Sequence, residues 1–254
     1  MIYTCYDMVR DCRANRAEGW RYFLTSYVPV IRRLLAHYAT DDEAFLERVL
    51  VAIRKPESSM FDSLEPAPER WFLAELRQKV LAELPEPTPE IELDVETAAE
   101  ALAPLTVVEK QAAWIEGMGY TPEQTGAMLR MAPATVAKIR DRAAELLRGK
   151  SDAWRKSMLR ENGRRLGRLA ASARGGECLP VKAFLDVLDG RTTWTARESM
   201  ERHVNGCFHC VDHFCRMAEV IELLRGVKPL ADDEAARWAK VLGVEAAKKK
   251  RGWF

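Results

Sequence analysis

The residues best suited to chemistry in this 254-residue sequence form a cluster of cysteines and histidines in its last third. Four of the six cysteines and three of the four histidines lie between positions 178 and 215. Cys178, His203, Cys207 and Cys210 have the spacing C-x24-H-x3-C-x2-C. His-x3-Cys places two ligands one helical turn apart, Cys-x2-Cys closes the turn around a metal, and a distant cysteine fills the fourth corner. The pattern predicts a four-ligand structural zinc site.

The same cluster admits other interpretations. Without a metal it would be a set of buried reduced cysteines with surface histidines. His209 lies between the two cysteines of the pair, and we expect it to point outward. His213 and Cys215 could substitute as ligands, or Cys215 could be a resolving thiol beside a zinc thiolate, although a thiol packed in a helix is simpler. A zinc enzyme would need one ligand replaced by water, so we predict no enzymatic activity and assign no catalytic residue.

Residues 105–148 have a second pattern, typical of a helix-turn-helix. Thr121 is a predicted N-cap, Pro122 suits the first helical position, the helix ends near Met131, and Pro133 opens the next helix. This second helix is predicted to bury Val136, Ile139, Ala143 and either Leu146 or Leu147. Its exposed face would carry the candidate DNA-contacting residues Thr135, Lys138, Arg140 and Arg142. The alternative is a helical hairpin with a solvated basic face.

The charges of the chain nearly cancel, yet they are unevenly distributed. The net charge of +1 comes from 39 Lys and Arg against 38 Asp and Glu, which excludes a bulk polycation. Residues 138–174 hold twelve Lys or Arg and four Asp or Glu, a local net of +8, whereas 81–109 hold eight acids and no Lys or Arg. The first stretch could bind phosphates, or it could be a solvated linker helix. The second, rich in proline at 85–89, predicts an extended linker.

Helical spacing of apolar residues runs through most of the sequence, and no alternating run is long enough to predict a strand. We therefore predict an all-α protein. Neither a membrane-spanning stretch nor a secretory signal is recognised, so the expected location is the cytoplasm, where thiols stay reduced.

Residues 178–226 resemble the zinc-binding anti-sigma domain family. The resemblance is carried by Cys178, by the turn Leu185-Asp-Val-Leu-Asp-Gly190, and by the set His203, Cys207 and Cys210. Members of that family are small helical bundles that bind and mask a sigma factor, and some release it when their thiols oxidise and zinc leaves. The resemblance implies a Zn cofactor and a sigma-directed regulatory role.

Residues 105–148 resemble region 4 of extracytoplasmic-function sigma factors and, similarly, the LuxR-type helix-turn-helix. The matching positions are Leu105, Glu109, Gly119, Thr121, Glu123, Gln124, Leu129, Thr135, Val136, Arg142, Ala143 and Leu146. In the sigma family this region reads the −35 promoter element. Ala137 and Ile139 depart from the polar or basic residues that the family often carries there, and Asp141 would lie near phosphates.

Residues 8–84 resemble region 2 of the same family through the segments that begin at Trp20, Asp42 and Glu69. In the family this domain grips the polymerase and opens the −10 element with basic and aromatic side chains. The corresponding candidates are Arg70, Trp71, Phe72 and Arg77, although Trp71 and Phe72 fit better as core residues. The resemblance therefore implies a diverged region 2 domain.

Together these resemblances predict three small helical domains and a function. The predicted parts are a sigma region 2-like domain (1–86), an acidic Pro-rich linker (87–100), a region 4-like helix-turn-helix (101–150), a basic linker (151–176), a zinc-binding anti-sigma-like domain (177–228), and a C-terminal helix with basic tail (229–254). The expected function is a transcription regulator that binds RNA polymerase core and promoter DNA under control of its fused zinc domain, with a separate sigma or anti-sigma protein as another partner. The alternative is an interaction scaffold that keeps both folds without binding promoter DNA.

Overall fold

The structure, a computed structural model, describes residues 3–38, 42–55, 61, 69–84, 103–146, 170 and 172–244, apart from the side chains at 144 and 146. Every regular element in these ranges is an α-helix, which confirms the all-α prediction. The helices are α1 (Cys5–Arg13), α2 (Ala17–Tyr38), α3 (Glu43–Arg54), α4 (Glu69–Ala82), α5 (Val107–Gly117), α6 (Pro122–Leu129), α7 (Pro133–Leu146), α8 (Val181–Leu188), α9 (Trp194–Gly206), α10 (Phe208–Leu224) and α11 (Asp232–Val241).

The chain divides into two compact units. Unit 1 comprises residues 1–84 and 223–254, and unit 2 comprises residues 85–222. The first boundary lies close to the predicted end of the N-terminal domain. The predicted division into three helical domains is not confirmed, because the helix-turn-helix and the Cys/His segment belong to one unit. Most of the basic stretch, at 147–169, and the basic tail, at 248–251, lie outside the described residues.

Unit 1 is built around the long helix α2. Its inward face carries Trp20, Phe23 and Tyr27, whose rings pack edge to face against Phe61 or Phe72 at centroid distances of 4.9–6.3 Å. All five side chains are buried. Interlocked aromatic rings bury large apolar areas and fix their mutual orientation, so they supply a well-defined core.

Helix α1 packs closely on α2 because of a glycine. A Cβ atom at Gly19 would lie 2.6 Å from the backbone nitrogen of Cys12, closer than real atoms approach. Asn15 has a positive φ of 53° and reverses the chain between the two helices. Residues 5–38 therefore form a hairpin of two helices.

Two residues that the region 2 resemblance implies for DNA opening are interior, as expected for Phe72 but not for Arg77. Phe72 is buried at the centre of unit 1. Arg77 is also buried and donates a hydrogen bond of 2.9 Å to the hydroxyl of Tyr38. Trp71 is half-buried and its indole N–H donates to Glu75. Of the four candidates, Phe72 and Arg77 thus lack an exposed surface for a base to stack on.

The C-terminal segment belongs to unit 1 through α2. Arg33 donates to the carbonyl oxygens of Leu223 and Arg225 at 2.9 and 2.8 Å. Arg32 bonds to Glu234 of α11 at 2.6 Å, while the backbone N–H of Leu230 donates to the carbonyl of Thr25 at 2.8 Å. Residues 223–244 are therefore an integral part of the first unit.

Unit 2 has one continuous core shared by the helix-turn-helix and the Cys/His segment. The helix-turn-helix contributes Leu105, Trp114, Met118, Tyr120 and Ala143 to it. The Cys/His segment contributes Phe184, Met200, Val204, Phe208, Val211 and Phe214. Side chains of the two segments pack in one core. The positions of the candidate ligands and of the helix-turn-helix therefore depend on each other.

Candidate metal centre

Two helices and one intervening residue position three of the four predicted ligands. Helix α9 begins at its N-cap Thr193, whose hydroxyl oxygen accepts from the N–H of Ala196, and it carries His203 in its last turn. Cys207 alone separates α9 from α10, with φ −115° and ψ 106°, and its carbonyl accepts from the N–H of Val211. Cys210 lies in the first turn of α10. The one-residue break brings both cysteines to the side of the helix that carries His203.

The structure brings all four predicted ligands together. The ligand atoms of Cys178, His203, Cys207 and Cys210 lie within 4.8 Å of one another, close enough to hold a metal ion. The sulfur atoms of Cys178 and Cys207 are 3.7 Å apart, and Nε2 of His203 is 3.2 Å from the sulfur of Cys210. Three sulfur atoms and one imidazole nitrogen form a donor set that suits zinc and other thiophilic ions.

The cluster lies at the edge of the core of unit 2. Cys210 is fully buried, whereas Cys178, His203 and Cys207 are half-buried. The backbone N–H of Gly175 donates to the sulfur of Cys178 at 3.3 Å. Burial raises the pKa of the Cys210 thiol to about 12, and the neighbouring Cys207 contributes in the same direction. A bound cation would supply the missing stabilisation of the thiolate.

The two alternative ligands lie outside the cluster. The sulfur of Cys215 is fully buried and contacts the carbonyl oxygen of Gln111 at 3.7 Å, as expected of a packed helix thiol. The imidazole of His213 packs against Phe184 at 5.1 Å, and burial lowers its pKa to about 3. All six cysteines are free of disulfides.

The prediction that His209 points outward is wrong. The residue is buried, and its Nδ1 lies 2.9 Å from the carbonyl oxygen of Ala170. The prediction assumed that the Cys-x2-Cys segment is a loop. Because α10 already begins at Phe208, the position of His209 is set by the helical rotation, which turns it into the core.

Sequence reasoning missed the residues that join the cluster to α5. Lys110 is only 4% exposed, and its ammonium donates to the backbone and side-chain oxygens of Asn205 at 2.5 and 2.9 Å. Burial lowers the pKa of Lys110. Nearby, the ring of Trp114 packs edge to face on Phe208 at 4.8 Å. These pairs are about 95 residues apart in sequence, and no local pattern indicates them.

The helix-turn-helix forms as predicted at its start and its turn. Thr121 and Gln124 make a reciprocal capping box at the start of α6, and Pro122 is the first helical residue. The helix ends at Leu129, two residues before the predicted end, because Arg130 adopts a left-handed conformation with φ 56°. A Cβ at Gly126 would lie 2.6 Å from the carbonyl oxygen of Met131, so only glycine allows this turn to close.

The four candidate DNA contacts differ in their surroundings. On α7, Val136 and Ala143 are buried as predicted, and Ile139 is half-buried. Thr135 and Lys138 are exposed. Arg140 is half-buried and lies 3.2 Å from Asp141 and 4.0 Å from Glu116. Leu147 and the side chain of Leu146 lie outside the described residues.

Arg142 is exposed, yet it forms an ion pair. Its Nε lies 3.0 Å from an oxygen of the buried Glu109 on α5. Burial on its own would raise the pKa of Glu109, but hydrogen bonds from Thr106 and the charge of Arg142 lower it instead. A phosphate would therefore compete for Arg142 with a carboxylate that has little access to water.

The sequence matches no protein-family model, no curated protein and no solved structure. In the part of the chain that the structure describes, no helix is long and apolar enough to cross a membrane.

Proposed function

We propose that Cys178, His203, Cys207 and Cys210 bind one structural zinc ion. In a tetrahedral site with zinc–sulfur and zinc–nitrogen bonds of about 2.3 and 2.0–2.1 Å, two sulfur atoms lie about 3.8 Å apart, and a sulfur and a nitrogen about 3.6 Å apart. The separations of 3.7 and 3.2 Å match within a few tenths of an ångström. Four protein ligands leave no position for a reactive water, which favours a structural ion over a catalytic one.

The zinc proposal is tested on full-length protein purified without added metal. Inductively coupled plasma mass spectrometry is expected to find about one zinc per chain, and Cys207→Ser is expected to lose it. Cys5→Ser is the matched control, since Cys5 is also half-buried but lies in unit 1. Retention of one equivalent of zinc by Cys207→Ser would exclude this ligand set.

We further propose that the chain is a cytoplasmic transcription regulator, a sigma-like module held by its own zinc-binding segment. The observation that supports this is the shared core of unit 2. Lys110, Gln111 and Trp114 of α5, the first helix of the region 4-like block, contact the segment that carries the metal ligands. A fused inhibitor acts at high effective concentration, so even weak intrinsic affinity controls the module.

The proposed partners are RNA polymerase core and promoter DNA, with a separate sigma or anti-sigma protein as a further partner. The experiment is affinity purification of the full chain from its native host, with and without a zinc chelator, followed by mass spectrometry. Polymerase subunits are expected to co-purify, in amounts that change when zinc is removed. Their absence under both conditions would contradict the sigma-like role.

A specific observation favours a second candidate, an interaction scaffold that does not bind promoter DNA. Arg140 and Arg142, two of the three basic candidates on α7, lie beside carboxylates within unit 2. Each phosphate contact that is lost reduces the salt dependence of DNA binding by roughly one unit of slope.

The two candidates are separated by DNA selection from a random pool with the full chain, followed by salt titration. A promoter-binding protein is expected to yield a specific protected sequence, and Lys138→Ala is expected to reduce its salt slope by about one. Lys228→Ala, which removes an exposed lysine from unit 1, should leave that slope unchanged. The scaffold predicts no specific footprint.

A further inference from the structure

The ammonium of Lys110 is a buried cation without an anionic partner among the described residues. Both of its hydrogen bonds go to uncharged oxygens of Asn205. Burial lowers the pKa of this ammonium group. By contrast, its neighbour Glu109 is paired with Arg142. Burying an unpaired charge is costly, so such a group ordinarily has a counter-charge nearby.

The proposed zinc centre would supply that counter-charge. A divalent ion bound by three thiolates and a neutral imidazole carries one net negative charge. Asn205 lies between the ligands His203 and Cys207, two residues from each. Lys110 and Cys207 also line the same small cavity, of about 160 Å³, together with Asn205 and Phe208. Residues Lys110 and Cys207 thus border one space at the edge of the core.

The C-terminus of α9 reinforces this electrostatic arrangement. The carbonyl oxygen of Asn205 belongs to the last turn of α9, where unsatisfied carbonyl groups concentrate the negative end of the helix dipole. The ammonium of Lys110 binds this carbonyl at 2.5 Å. It therefore holds the turn that carries His203 and directly precedes Cys207.

We propose that Lys110 is a positioning residue that neutralises the metal–thiolate centre and fixes the end of α9 beside it. This inference rests on the proposed zinc site. It also gives that site a physical link to the helix-turn-helix, since Lys110 belongs to α5. Coupling between two sites is reciprocal, so occupation of the centre stabilises the position of α5 as much as α5 stabilises the centre.

The test compares charge with hydrogen bonding at position 110 in the full chain. The zinc dissociation constants of Lys110→Arg, Lys110→Gln and Lys110→Met are measured by competition with a chromophoric chelator. Substitutions of residues that support metal ligands typically cost 10–100-fold in affinity, so Gln and Met should weaken zinc binding about 10-fold or more. Arg keeps the charge and should remain within about threefold of the wild type. A Gln variant that also stays within about threefold would overturn the proposal, because Gln can still donate to the carbonyl.

A second variant distinguishes the two roles of Lys110 by the direction in which zinc affinity changes. Asn205→Asp gives Lys110 a carboxylate partner in place of the amide oxygen. If the ammonium serves the metal centre, this carboxylate neutralises it and weakens zinc binding by about 10-fold. Unchanged or tighter zinc binding would assign Lys110 to helix capping and overturn the proposal. A wild-type chain that binds no zinc would refute the zinc site itself, a result distinct from either of these.

Discussion

The two units of this protein have cores of different chemistry. Unit 1 is held by five interlocked aromatic side chains on and around α2. Among its described residues, no group of Cys, His and acidic side chains is arranged to hold a metal ion. Unit 1 buries two charged side chains, Asp11 and Arg77, whereas unit 2 buries a larger polar set that includes Lys110, His209, Asp212, Arg216 and Glu219.

This difference indicates what each unit needs in order to stay folded. Burial of aromatic rings stabilises unit 1 directly. In unit 2, Arg216 and Asp212 form a buried ion pair at 2.5 Å, and such pairs add little net stability because both charges lose their hydration. A metal that joins the loop at Cys178 to α9 and α10 is therefore expected to matter more than any single apolar contact in that unit.

Removal of the metal should have the largest effect and should be confined to unit 2. Metal binding to structural zinc sites contributes roughly 10–16 kcal/mol in small peptides, so Cys210→Ala is expected to lose the ion and destabilise α8–α10 severely. Hydrogen exchange read by mass spectrometry should show fast exchange in 178–222 and unchanged protection in α1–α4. Equal loss of protection in both units would contradict the expectation that the metal stabilises only unit 2.

A cavity in the aromatic core should destabilise unit 1 and leave unit 2 unchanged. Phe72 is completely buried and contacts Phe23, Tyr27 and Phe61. Phe72→Ala is expected to cost about 3–5 kcal/mol in the free energy of unfolding of unit 1. Zinc content and the protection of α8–α10 should be unchanged, as measured by metal analysis and hydrogen exchange on the same sample. Loss of zinc in this variant would show that the units do not respond independently.

One tyrosine–glutamate hydrogen bond in each unit allows the stability cost of a lost bond to be compared between the units. Tyr120 donates to Glu219 within the buried core of unit 2, and Tyr27 donates to Glu69, an exposed residue of unit 1. Leaving a buried polar group with one partner fewer costs about 1–3 kcal/mol, whereas a bond that water can replace is worth about 0.5–1.5 kcal/mol. Tyr120→Phe should therefore destabilise its unit more than Tyr27→Phe does, in denaturant unfolding followed by hydrogen exchange. A larger destabilisation by Tyr27→Phe than by Tyr120→Phe would contradict the view that unit 2 depends more on buried polar contacts.

The parts of the site that the sequence predicted are those set by short spacing. His203, Cys207 and Cys210 come together because one helical turn and a one-residue break suffice to do so. The start of α6 was likewise predictable, because Thr121 and Pro122 act within a single turn. Cys178 was predicted as the distant fourth ligand, with Cys215 as an alternative, and the fold places Cys178 against Cys207.

The parts that were missed depend on packing between distant segments. Lys110 and Asn205 are 95 positions apart, and Arg32 and Glu234 are 202 apart. Neither pair leaves a periodic signal in the sequence, because each partner is an ordinary polar residue of its own helix. The three-domain prediction went unconfirmed for the same reason, since hydrophobic spacing predicts helices but does not specify which helices share a core.

The smallest expected effect concerns the buried His213. Its pKa is held at about 3 by burial and by the nearby charge of Arg216, against about 6.5 in an unfolded chain. The unfolded chain therefore binds the proton first, so the stability of unit 2 falls as the pH drops below about 6.5 and continues to fall until the pH nears the folded pKa.

His213→Phe removes this titration while keeping a ring against Phe184. Between pH 7 and pH 5.5, the wild type should lose about 1 kcal/mol more unfolding free energy than the variant. Acid release of the metal is common to both proteins and cancels in the difference, which urea unfolding at the two pH values measures. An equal loss in both proteins would mean that folding does not lower the pKa of His213, and the polar core of unit 2 would then be hydrated.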